Sequence, residues 1–178
     1  MKDLFQKILD KPDSIIALCA LIVSAISLIL ALVSSFHNRK NNRLSVRPLA
    51  YILPPDYEDY IAVIIQNKGT GPLISKKIKF IDESNIEKKY LIDFMPELEG
   101  GYYWKTYSKT SKIILSPLEE KILLEFRGDL SVASFIRQRD KIREALSKIE
   151  IQIKYTSIFN EWCPFILNYK LSWFGRKK

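Results

Sequence analysis

A chain of 178 residues with 47% apolar and 27% charged side chains has the balance of a folded protein and excludes extended disorder. The net charge of +8 invites a nucleic-acid reading, but the basic residues either sit beside one long apolar run or alternate with apolar residues along strands. That is the distribution of solvated faces, so nucleic acid is an unlikely partner for this chain. Two cysteines, Cys19 within the apolar run and Cys163 far downstream, are poorly placed for a structural disulfide and point to a reducing compartment.

The chain opens on a leader, residues 1–13, in which Leu4, Phe5, Ile8 and Leu9 share one helical face and Lys2, Gln6, Lys7 and Lys11 surround the other. Such a segment suits a short amphipathic helix in the headgroup region or a frayed terminus. Residues 14–36 follow without a charge. At about 23 residues they reach about 35 Å as a helix, enough to cross a hydrocarbon core about 30 Å thick. A helix satisfies its own backbone hydrogen bonds there, and Pro12 with Asp13 or Ser14 suits its start. A cleaved signal peptide is the rival, with a shorter apolar core behind a purely basic start. The longer core and the acids Asp3, Asp10 and Asp13 favour a retained, single-pass anchor in the cell (inner) membrane.

Within that helix Ala17, Ala20, Ser24, Ser27, Ala31 and Ser34 recur at alternating steps of three and four, a heptad seam of small residues. Small residues let helices approach closely and serine hydroxyls can bond across the contact, so the seam predicts a homo-oligomer. A basic juncture, residues 37–43, comes next. Arg39, Lys40, Arg43 and Arg47 crowd the helix exit, suit the surface of the lipid bilayer, and place the C-terminal domain in the cytoplasm by the positive-inside rule.

From residue 44 to 178 the apolar period changes to two, as in a β domain. Residues 44–53 read as a first strand, with Pro48 at an edge or bulge. Tyr60 to Gln66 is a nearly continuous apolar strand of central type. Asn67, Gly69, Gly71 and Pro72 then break the chain in a turn, with the glycines expected at positive φ. Strands resume over Leu73–Ile81, Lys112–Leu115 and Glu120–Arg127, where Leu123 breaks the alternation. They continue over Ile149–Thr156 and again around Leu167, Tyr169, Leu171 and Trp173. Ser131–Lys148 reads as a helix with Phe135, Ile136, Ile142, Ala145, Leu146 and Ile149 on its apolar side, and Ser84–Met95 as a weaker helix or a strand. The fold class is therefore mainly β: an N-terminal transmembrane helix, then an antiparallel sandwich with one inserted helix, or alternatively a small β-barrel.

The juncture His37-Asn-Arg…Leu44-Ser-Val-Arg-Pro48 after a transmembrane helix, and an apolar strand closing on Asn67-Lys-Gly-Thr-Gly-Pro72, resemble a set of uncharacterised prokaryotic single-transmembrane proteins with a membrane-proximal immunoglobulin-like β domain. The resemblance covers residues 14–81, implies the architecture and carries no activity. Where such proteins often have alanine after Gly-Pro, this chain has Leu73.

The chemical motifs of phosphate-binding loops, nucleophile elbows and zinc proteases are missing from the sequence. His37, the one histidine, belongs to the helix exit, and no cofactor or metal site is expected. Asp56, Glu58 and Asp59 form an acidic loop expected to be solvated. Tyr102, Tyr103, Trp104 and Tyr107 beside Gly100 and Gly101 suit either a mobile recognition loop or packing on the core. The tail from Trp173 to Lys178 mixes aromatic and basic residues, as a contact with an anionic membrane surface does. The expected function is a non-enzymatic, membrane-tethered interaction protein that binds an unidentified protein or small ligand and self-associates through its helix. The alternative is a membrane-disrupting effector, for example in phage defence, whose β domain senses a ligand and triggers helix clustering.

Overall fold

Where hydrocarbon-like side chains end and basic ones begin, the chain stays helical. The computed structural model describes residues 12–110 and 112–176, so the leader through Lys11 and the last two lysines lie outside the described residues. Helix α1 runs from Pro12 to Ser45, through the residues read as a juncture and into those read as a first strand. His37 to Leu44 contain neither glycine nor proline, and their arginines and lysine are good helix formers. Pro48 stops the helix, because it disfavours helical conformation at Arg47. Asp13 in the first turn and Arg43 in the last complement the helix dipole.

The chain divides into two compact units at Leu44/Ser45. In the first, α1 carries a window of mean hydropathy 3.0, none of it buried, and is long and apolar enough to cross a membrane.

The second unit consists of short antiparallel strands in two sheets. The first sheet orders β1 (Ala50–Leu53), β2 (Tyr60–Asn67), β7 (Glu120–Arg127) and β5 (Thr106–Tyr107) as β1-β2-β7-β5. The second orders β4 (Glu87–Lys88), β3 (Leu73–Asp82), β8 (Ile149–Thr156) and β9 (Phe165–Lys170) as β4-β3-β8-β9, with β6 (Ile114–Leu115) also on β3. The sheets remain separate and do not close into a barrel, which removes that alternative. β2 is central, as its apolar run requires, and β8 buries Ile149, Ile151 and Ile153 on alternate positions. Inward residues of both sheets, among them Ile52, Val63, Phe80 and Ile151, share one core.

The two breaks in alternation are β-bulges. Val63 faces Leu124 while Ile64 faces Ile122, so Leu123 is the extra residue on β7 and is buried. Ser75 faces Tyr155 while Lys77 faces Lys154, so Lys76 is the extra residue on β3 and both lysines turn outward.

Helix α2 (Ala133–Ser147) links the end of β7 to the start of β8 and buries Phe135, Gln138, Ile142 and Leu146. The expected Ile136 is instead exposed, and Gln138 takes a core position. Residues 84–95 form no α-helix: they make a turn, β4 and a 3₁₀ turn over Leu91–Phe94. The acidic loop is not simply solvated either. The Arg143 guanidinium pairs with Asp56 at 2.7 Å and donates to the Tyr57 carbonyl, while Arg139 donates to the Glu58 carbonyl.

Side chains of Arg143 and Asp56 are only 14% and 6% exposed, so removing one strands the other away from water. Arg143→Met should cost about 2–3 kcal/mol of stability. The double variant Arg143→Met, Asp56→Leu should recover most of it in denaturant unfolding of the detergent-solubilised chain.

Candidate functional site

Register places three connections at the end of the domain where the chain arrives at Ser45. Ala50 faces Asn67, Gln66 faces Glu120 and Ile74 faces Thr156, so the 67–72 turn, the 116–119 turn and the 157–164 loop all gather there.

Asn67 holds this end together. Its side chain is fully buried; Oδ1 accepts from the amides of Leu49 (3.2 Å) and Gly69 (3.0 Å). Nδ2 donates to the carbonyls of Gly71 (2.8 Å), Leu115 (3.2 Å) and Ser116 (3.2 Å). The amides of Lys68 and Thr70 donate to Leu49 and Arg47, and the Thr70 hydroxyl donates to the Ser45 carbonyl. With these amides engaged, the turn has few donors left for a phosphate.

The turn glycines are needed for space and not for positive φ, contrary to the expectation from sequence. Positive φ among glycines belongs to Gly100 and Gly101. A Cβ on Gly71 would lie 1.9 Å from the Val46 carbonyl oxygen, and one on Gly69 2.3 Å from that of Arg47. The segment Val46–Leu49 crosses directly over both. Pro72 follows, half-buried, and β3 restarts at Leu73.

The aromatic loop divides its residues between the two roles foreseen for it. Tyr102 and Trp104 pack edge-on against Phe126, with centroids at 6.1 and 5.6 Å, and Phe126 stacks on Phe135. The Tyr102 hydroxyl lies 3.2 Å from that of Ser134 at the start of α2. Tyr103 is 79% exposed and Tyr107 is 48% exposed. Two rings are therefore anchors and two are displayed, in a segment whose exposure alternates residue by residue.

The 157–164 loop connects β8 to β9. It carries Trp162, 99% exposed, with Ile158 and Phe159 also exposed. Its shape is set by Glu161. The carboxylate accepts from the Thr156 and Ser157 hydroxyls and from the Ser157 amide at 2.8 Å, and the Glu161 amide donates back to Thr156 Oγ1 at 2.9 Å. Partial burial opposes ionisation of Glu161, but the hydroxyl and amide donors together overcome it and bring the carboxyl down to about 2. Asn160, at φ 47°, accepts from Lys76 Nζ at 2.6 Å. The signal in the sequence was Thr-Ser…Glu, a local acceptor for its own loop amides.

Beside this loop a groove of about 420 Å³ is lined by Lys76, Lys77, Lys88, Lys89 and Lys112, with Glu87 its acid. A hydrogen bond from Lys79 holds the Glu87 carboxyl below the usual range.

Ala17, Ala20, Ser24, Ser27, Ala31 and Ser34 are all helical and exposed on α1, where the Ser24 hydroxyl donates to the Ala20 carbonyl of its own helix. Arg39, Lys40 and Arg43 continue that helix, whereas Arg47 lies beyond it with its guanidinium 4.8 Å over the Phe165 ring. In the tail Phe174 is buried, and Trp173 stacks under Arg176 at 4.2 Å, so part of the aromatic group serves the core and not a surface. Among the described residues no three His, Cys, Asp or Glu side chains gather as for a metal.

Gly71→Ala should destabilise the domain by about 2–3 kcal/mol through overlap with backbone. Gly101→Ala, in open space but at φ 81°, should cost about 1 kcal/mol, both read as shifts of the denaturation midpoint. Because the folded value of Glu161 is depressed, its contribution is complete above pH 4.5 and disappears as pH falls through about 2. Backbone chemical shifts of Ser157 and Phe159 should move to open-loop values across that window, and Glu161→Gln should abolish the transition. Compared with protein-family models and with curated proteins, the chain matches none.

Proposed function

We propose that this chain is a non-enzymatic, membrane-tethered interaction protein. In this reading α1 spans the bilayer once and pairs through Ala17, Ala20, Ser24, Ser27, Ala31 and Ser34. The domain works at the membrane surface on the cytoplasmic side. The observation that carries it is an apolar helix with none of its hydrophobic window buried, joined at Ser45 to a domain with a complete core of its own. So much exposed apolar area needs a hydrocarbon-like solvent.

An immunoglobulin-like identity for the domain is supported by strand order. Lettering β1, β2, β3, β4, β5, β7, β8 and β9 as A, B, C, C′, D, E, F and G turns the two sheets into ABED and C′CFG, the arrangement of that fold. The helix α2 is then an insertion between E and F, and β6 an addition on C. Domains of this kind act through loops at their ends, and here Tyr103 and Tyr107, braced by Tyr102 and Trp104, offer a rigid aromatic surface to a protein or small-ligand partner.

Self-association is the testable core of the reading. In a reporter of helix association in bacterial membranes, Ser24→Leu with Ser27→Leu should lower the signal about tenfold, a loss of close packing worth about 1–2 kcal/mol. Induced expression of the full chain should leave the membrane polarised. Depolarisation that the same pair of substitutions removes would replace the tether with the membrane-disrupting effector.

A further inference from the structure

The Ser45 end of the domain displays several large apolar side chains to solvent. Leu118 sits at φ 63° on the 116–119 turn and is 70% exposed. Ile158, Phe159 and Trp162 project from the next loop, and water reaches nearly the whole of Trp162. A floppy loop would carry such residues at random. This one is held by the Glu161 carboxylate, by Ser157, whose Oγ accepts from the Phe159 amide, and by Lys76 through Asn160. The display is therefore preorganised, so little ordering entropy remains to be lost on contact.

Basic residues fringe the patch. Lys76 is the bulged residue of β3, Lys77 stands next to it, Lys68 lies in the 67–72 turn, and Lys112 lines the same groove. Lys77 faces Lys154 across the sheet and pairs with Glu87 at 3.7 Å. The carboxylates of this end keep their charge but are turned to local donors: Glu161 within its loop, Glu119 to the Ser116 amide and Glu120 to the Gln66 carboxamide.

We propose that this end docks on an anionic bilayer, with Trp162, Phe159, Ile158 and Leu118 in the headgroup layer and the lysines against lipid phosphates. Aromatic residues with lysines around them are the composition of membrane-interface anchors. A bilayer is favoured over a second copy or a protein partner by chain continuity. The segment Ser45–Leu49 is pinned to this end by Asn67, Thr70 and the two turn glycines, so this is the end that follows directly from α1. The inference rests on the tether reading. Only the residues from His37 to Ser45, about 14 Å of chain as helix, separate the apolar run from this end.

The full chain, reconstituted into phosphatidylcholine vesicles with or without phosphatidylglycerol, provides the test. The Trp162 signal is the difference between the parent and Trp162→Phe. With phosphatidylglycerol it should shift to the blue, be shielded from acrylamide and be quenched by headgroup spin-labelled lipid more than by deep acyl labels. Lys76→Gln should weaken the anionic-lipid-dependent fraction about fivefold. A Trp162 signal that stays aqueous in chains still floating with vesicles after alkaline extraction would overturn the docking alone. Chains that fail to float would overturn the tether itself. Shielding that persists in detergent, together with cross-links between Ile158→Cys copies, would assign the patch to a second copy and also overturn the proposal.

Discussion

A carboxamide sealed from water is tolerable only when both its oxygen and its nitrogen find partners, and Asn67 finds five. Those partners belong to three stretches of chain that are remote in sequence: the segment arriving at Ser45, the turn of Asn67 itself, and the connection leaving β6. The side chain thus ties the arriving segment to the turn between β2 and β3 and to the end of β6. It also requires Gly69 and Gly71, because the arriving segment runs across the turn at a distance that leaves no room for a β-carbon. The other features of the Ser45 end, including the placement of Arg47 over Phe165, follow from that crossing.

The two ends of the domain are built by different physics. At the Ser45 end, buried polar groups and local carboxylate turns make rigid loops whose apolar side chains face outward. At the opposite end α2 closes the core with Phe135, Ile142 and Leu146, and its arginines hold the Asp56–Glu58 loop in place. The Gly100–Lys105 segment leads into β5 at the edge of the first sheet, and exposure alternates along it, with Tyr102 and Trp104 on the core and Tyr103 and Tyr107 in solvent. Bulges matter to this division. The extra residue Lys76 turns a strand that would hide every second side chain into one that shows two adjacent lysines.

How much of this was readable from the residues depended on whether the signal was periodic. The alternation in Ile149–Thr156 gave β8 with its bounds, and the apolar run from Tyr60 gave a central β2, because burial of one or both faces leaves an unambiguous pattern. The Leu123 irregularity was visible as a break, though its meaning as a bulge needed the partner strand. Helix α1 was underestimated at its C-terminal end, since a search for apolar residues stops at Phe36 while backbone helicity continues until a proline intervenes. In α2 the expected Phe135, Ile142 and Leu146 are buried, but Ile136 is outside and Gln138 inside, because helix rotation is set by the neighbours and not by the helix alone.

By itself the sequence determined an apolar helix long enough for a bilayer, a β domain after it, and the position of its turns, since length, period and glycine–proline punctuation act locally. Tertiary structure alone decided that the turn glycines serve close approach, that Asp56 is paired with Arg143, that the aromatic loop is half anchor and half display, and that Trp162 stands in solvent. Each of those depends on which distant segments meet. A side chain's chemistry is written in its residue type, but its exposure and its partners are properties of the packed chain.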